Sequence, residues 1–137
     1  MQTCALPAHS ERRRRGSAVP MSHHGQIPVE RPEMHKLVVL YPHPADPAAF
    51  ESYYRTTHLP LASRLPGKLG HRFSTTVEAQ GQESPYFAVY EADFADEAAM
   101  VAALASPEGR AVQDDVPNYA PEGTVVLHYE TETPPER

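Results

Sequence analysis

"HRFSTTVEAQGQESPYFAVYEADF", residues 71–94, reads as two strands in succession. His71, Phe73, Thr75 and Val77 alternate with Arg72, Ser74, Thr76 and Glu78, the two-residue period of a half-buried strand over 71–79. "QGQESP" has turn composition, and "YFAVYEADF" (86–94) returns as the hairpin partner. Two adjacent strands flanked by helical sequence distinguish a split arrangement from a plain alternation of strand and helix.

Upstream, "KLVVLYP" (36–42) is β-branched and apolar on both faces, so it predicts a strand covered on both sides. Asp46 is placed to cap a helix, with Pro47 in its first turn. Phe50, Tyr54, His58, Leu61 and Leu65 follow at helical spacing, and Gly67 and Gly70 end the element. Downstream, Asp96 and Glu97 open an alanine-rich helix, and Ser106 and Pro107 restart a shorter one that runs to about Val116, where Pro117 stops it. "TVVLHYE" (124–130) is the last strand. The order βαββαβ predicts an α+β, ferredoxin-like fold: a four-stranded antiparallel sheet with both helices on one face. The folded body spans 36–131 and is followed by a polar tail, 132–137.

That fold leaves Val39, Tyr41, Tyr86, Tyr90, Leu127 and Tyr129 too many to share one covered face. Those on the other face would form an apolar patch too large for a lone soluble subunit. A homodimer pairing two sheets face to face is therefore expected, closing a dimeric α+β barrel.

The 137 residues suit one domain, and no apolar run is long enough to span a membrane. Net charge is −6, and the body from residue 36 onward carries most of the acid, which argues against nucleic acid as a partner. A single cysteine, Cys4, excludes an internal disulfide and fits a cytoplasmic protein. Residues 1–35 combine four prolines, the run Arg12–Arg15 and little apolar periodicity, the composition of a disordered arm. No apolar stretch follows the arginines to make a secretory signal, and Met21 and Met34 each offer an alternative translation start.

The chemistry is expected in "YYRTTHLPLASRLPG", residues 53–67. Pro60 lies inside the helical pattern, where it cannot donate to the carbonyl of Thr56 and crowds it, so the helix must loosen near Thr56 and Thr57. His58 stands at this bend with the hydroxyls of Tyr53 and Tyr54 nearby, and imidazole exchanges protons near neutrality. His58 is either an acid–base group or a half-buried ring bonded to a backbone carbonyl. In "DDVPNY" (114–119), Asp114 and Asp115 fall at a helix C-terminus, where negative charge is unfavourable. They are either solvated or paired with a cation such as Arg110. No phosphate loop, nucleophile elbow, zinc helix, flavin or nicotinamide signature is present. His43, His58, His71 and His128 lie on separate elements with no ligand spacing, so neither a metal nor an organic cofactor is expected.

"YYRTTHLPLASRLPG" together with "DVPNYAPEGTVVLHYE" resembles the EthD family, over about residues 36–131. The resemblance implies the dimeric α+β barrel reached above. By position it matches His58 to the family's helix histidine, and Tyr54, Asp115 and Tyr119 to its other recurrent polar positions. The family is associated with ether degradation and filed among oxidoreductases, and relatives on the same barrel include cofactor-free monooxygenases, isomerases and decarboxylases or cyclases. The expectation is a cytoplasmic homodimer that holds a small apolar compound between helices and sheet. His58, Tyr54, Tyr119 and Asp115 are the expected catalytic groups; Tyr41, Tyr53, Leu61 and Phe73 are the expected ligand contacts. A non-catalytic accessory protein for a separate oxygenase is the alternative.

Overall fold

The structure is a computed structural model that describes residues 33–135. The predicted disordered arm, with Cys4 and Met21, falls almost wholly outside the described residues.

Four strands, β1 (His35–Pro42), β2 (Gly70–Ser74), β3 (Tyr86–Phe94) and β4 (Val125–Glu130), form one sheet in the order β2-β3-β1-β4, every pair antiparallel. The helices are α1 (Pro47–Tyr53), α2 (Leu59–Ala62), α3 (Glu97–Ala105) and α4 (Pro107–Asp115), and a 3₁₀ turn, Val116–Asn118, follows α4. This is the ferredoxin-like fold. Three caps form where the sequence places them: Asp46, Asp96 and Ser106 accept from the backbone N–H groups of Ala49, Ala99 and Gly109.

Two boundaries differ from expectation. The second strand ends at Ser74 instead of continuing to residue 79, because the Ser74 hydroxyl accepts from the Thr76 N–H and turns the chain out of the ladder. The first strand begins one residue earlier than Lys36: the Thr131 N–H donates to the Met34 carbonyl at 2.8 Å, fastening the chain ahead of His35 to the end of β4.

The helix around Pro60 does loosen. Residues Tyr54–His58 form a π-helical turn between α1 and α2, and the Leu59 N–H reaches back five residues to the Tyr54 carbonyl. A proline lacks the N–H that a regular helix would need here, so widening the turn avoids the clash its ring would make. Phe50, Tyr54, His58, Ala62 and Leu65 are buried, whereas Leu61 is only half-buried.

Strand register assigns side chains to the two sheet faces. The row Phe73–Tyr90–Val39–Val126 crosses the face under the helices, and Leu37, Tyr41, Ala88, Ala92 and Phe94 complete the core there. The row Arg72–Glu91–Val38–Leu127 crosses the opposite face. Of the aromatic residues expected to compete for cover, Tyr41 and Tyr90 go to the helices. Leu127 and Tyr129 stay on the uncovered face, 43% and 47% exposed.

Candidate functional site

The site forms where the π-turn meets the end of α4. His58 Nδ1 lies 2.9 Å from Asp115 Oδ2, and both side chains are almost fully buried. Tyr53 donates its hydroxyl to Asp115 Oδ1 at 2.6 Å, and the Asn118 amide donates to the same oxygen at 3.0 Å. The carboxylate therefore has three side-chain partners. Asp115 is the last residue of α4, where its charge opposes the helix dipole, and these hydrogen bonds offset that cost. The 3₁₀ turn containing Pro117 folds the chain back so that Asn118 can reach it. Asp114 is exposed, one of the two expected fates, while Asp115 follows neither: it is buried and bonded to His58, Tyr53 and Asn118 instead of to a cation such as Arg110.

The electrostatics fix the tautomer. Burial opposes ionisation of Asp115, but the hydrogen bonds from Tyr53, Asn118 and His58 outweigh it and hold the carboxyl below its usual range. Two of those donors are neutral, so the carboxylate does not require a charged imidazole. Burial likewise lowers the pKa of His58, and Asp115 only partly counteracts it. A neutral ring beside an ionised carboxylate must donate through Nδ1, because the carboxylate can only accept. Nε2 then carries the lone pair, and it has no hydrogen-bond partner among the described residues.

His58 lines a cavity of about 240 Å³ between helices and sheet. Leu37, Val39, Leu65, Leu104 and Val112 supply apolar walls, and Tyr41 and Tyr90 bring phenol rings. The Tyr90 hydroxyl is engaged by His71 Nδ1 at 2.8 Å. Tyr41 and Tyr119 share a hydrogen bond of 2.6 Å between their hydroxyls, and the Tyr119 ring lies 4.5 Å from the His58 ring, centroid to centroid. The fully buried Tyr54 stacks on His58 and interacts electrostatically with Tyr41, but its hydroxyl makes no well-formed hydrogen bond. Burial raises the pKa of all four tyrosines, 41, 54, 90 and 119, so they stay protonated at neutral pH.

The four residues expected to be catalytic, His58, Tyr54, Tyr119 and Asp115, thus come together. The expected ligand contacts divide. Tyr41 lines the cavity, whereas Tyr53 is committed to Asp115 and stacks on Tyr119. Leu61 and Phe73 are not among the cavity's lining residues. Phe73 instead packs against Tyr54 and under the Arg55 guanidinium. Sequence alone did not reveal the walls supplied by α3, α4 and the 3₁₀ turn, Leu104, Val112 and Val116, whose spacing also fits ordinary core positions.

A sequence model of the EthD domain matches residues 42–122. An uncharacterised 11.0 kDa protein from the thcB–thcC intergenic region of Rhodococcus erythropolis is 33% identical over 100 residues, covering 73% of this chain and 97% of the relative. The crystal structure of an EthD-family protein from Bacillus halodurans superposes with a TM-score of 0.68 at 28% identity, covering 72% of this chain and 99% of that one. Two more distant structures share the fold. A hydroxynitrile lyase from Passiflora edulis has a TM-score of 0.61 at 18% identity, covering 77% and 100% of the two chains. A protein from Thermobifida fusca, described as a dimeric ferredoxin-like protein of unknown function, has 0.57 at 15%, covering 75% and 95%. No helix among the described residues is long and apolar enough to cross a membrane.

Proposed function

This chain belongs to the EthD family, and from that premise we propose that it is a homodimeric, cofactor-independent enzyme acting on a small, largely apolar organic compound. The observation that carries the proposal is the His58–Asp115 pair, which engages Nδ1 and leaves Nε2 without a hydrogen bond, on a ring that lines an apolar cavity. The reaction is a proton abstraction from an activated ring or carbonyl compound, the first step of either an isomerisation or an oxygenation. Nε2 takes the proton, and the imidazolium that results is stabilised by the Asp115 carboxylate at 2.9 Å. Tyr41, which lines the cavity and is kept protonated by burial, accepts from the Tyr119 hydroxyl and donates its own O–H to the negative charge that develops on the substrate. Ligand pockets usually run from about 300 to 1,000 Å³. A cavity of about 240 Å³ therefore favours a compound of monocyclic size.

The open sheet face supports the dimer, because Leu127 and Tyr129 lie on it beside Val38 and Leu40. A carrier delivering a substrate to a separate oxygenase would need the apolar cavity alone. The paired carboxylate is what favours catalysis, since a carrier histidine could be satisfied by backbone.

Mass spectrometry of a ligand retained by the purified protein supplies the compound for the test. His58→Asn keeps one donor and one acceptor but cannot titrate near neutrality. We expect turnover of that compound to fall at least about a hundredfold with binding retained, in line with the loss of a general base. Unchanged turnover would refute the role of His58, and binding without turnover in the unmodified protein would identify a carrier.

A further inference from the structure

At the other end of the covered sheet face, a second histidine cluster has no part in the chemistry above. His35 opens β1, and His128 stands on the edge strand β4, opposite Leu37 and thus diagonal to His35. Their rings are tilted at 45° to each other, with His35 Nε2 2.8 Å from His128 Nδ1. Glu97, the first residue of α3, brings its carboxylate to the same point, so that one ligand atom from each of the three lies within 4.8 Å of the others. His35 is buried, while His128 and Glu97 are exposed.

The geometry points to a binding site for a first-row divalent metal ion, zinc, nickel or copper, held by His35 Nε2, His128 Nδ1 and Glu97. Two imidazole nitrogens bound to one ion at about 2.0–2.1 Å sit roughly 3 Å apart, close to the separation already present. Only one proton can occupy the space between the two nitrogens, and a cation takes its place. His128, on an exposed edge strand, has room to turn until both lone pairs converge on the ion. Two imidazoles and one carboxylate favour these ions over magnesium or calcium, which prefer oxygen ligands alone.

The surroundings favour a cation. The cluster borders a groove that also carries Asp96 and Glu130, and Glu130 pairs directly with His35 across the strands. These carboxylates add negative charge without competing as buried groups, and the groove leaves solvent room for water to complete the coordination. The site shares no residue with the lining of the His58 cavity, although Leu37, two residues along β1 from His35, is one of that cavity's walls. By joining β1, β4 and the start of α3, the ion would tie the edge strand to the rest of the sheet.

The test is zinc binding by the untagged full-length chain, measured by competition with a chromogenic chelator, alongside melting with and without zinc. We expect one site per chain whose affinity falls about a hundredfold in His128→Ala and about tenfold in Glu97→Gln, with a zinc-dependent rise in melting temperature that both variants lose or reduce. His128 and Glu97 are exposed, so neither substitution should prevent folding. Zinc affinity and zinc-dependent melting equal in the unmodified chain and His128→Ala would overturn the proposal, and would place any binding at other histidines. So would the absence of zinc binding.

Discussion

The two faces of the sheet carry the same kinds of residue to different ends. On the covered face the aromatic rings are enclosed and paired: Tyr41 with Tyr119, Tyr53 with Asp115, Tyr54 on His58. On the uncovered face Tyr129 and Leu127 remain exposed. There the charged side chains form a network, with Lys36 and Arg72 each bridging to Glu91 and Asp93. Burial on the first face shifts pKa values and fixes a tautomer, which are conditions for chemistry. The second face offers an apolar strip of Val38, Leu40, Leu127 and Tyr129 next to the charged cluster of Lys36, Arg72, Glu91 and Asp93, a pattern suited to a self-complementary contact between two copies. Side chains one residue apart on a strand therefore lie in different environments.

The uncovered face should respond most strongly to substitution. Leu127→Asp places a carboxylate in the apolar strip and should weaken the proposed dimer by about 2 kcal/mol or more, some thirtyfold in its dissociation constant. Sedimentation at micromolar concentration reads this directly, while the His58 site should keep its ligand. If sedimentation does not change, the association surface lies elsewhere.

On the covered face, Asp115→Asn should leave sedimentation unaltered and lower stability by about 1–3 kcal/mol. The amide cannot satisfy Tyr53, Asn118 and His58 together as the carboxylate does. It also permits the opposite His58 tautomer, so activity should fall further than the melting temperature alone would suggest. Equal loss of activity and stability would make Asp115 a structural residue.

A smaller effect is the pH dependence of stability. The folded-state pKa of His58 lies below its ordinary 6.5, so the unfolded chain binds this proton more readily. The stabilisation is fully present above about pH 6.5 and declines as pH falls from there towards the folded-state value. Asp115 contributes in the same direction at lower pH: its stabilisation holds above 3.8 and is lost as pH falls through its depressed value. Chemical denaturation across pH 4–8 should show the His58 segment of this decline in the unmodified protein and lose it in His58→Asn. A rise in stability on acidification between pH 7 and 6 would contradict the sign.

Most of the fold is legible in the sequence because its signals are local. The alternation in β3, the caps at Asp46, Asp96 and Ser106, and the misfit of Pro60 in a helix all act within a few residues. The π-turn is the form that last misfit takes. Where β2 ends was not legible, because alternation continues past Ser74 while the hydroxyl-to-backbone bond that stops the ladder does not depend on it. The partner of Asp115 was not legible either. The sequence marks a carboxylate in an unfavourable place, but His58 lies 57 residues away, and only the packing of α4 against α2 brings them together. The pairing of His35 with His128, 93 residues apart, is a product of register. Gly109 shows the reverse case: a glycine in the first turn of α4 looks unfavourable in sequence, yet a Cβ there would meet the Ala103 carbonyl and the Leu104 backbone where α3 turns into α4.

On the reading proposed above, His58 is neutral, donates through Nδ1 to Asp115 and keeps Nε2 free for a ligand in the cavity it lines. Long-range ¹H–¹⁵N correlation NMR of the imidazole, assigned by comparison with His58→Asn, measures this directly. At pH 7 we expect a protonated Nδ1 and an unprotonated Nε2, persisting below pH 6.5 before the ring takes up a second proton. A ring protonated on Nε2 alone, or already an imidazolium at pH 7, would contradict it.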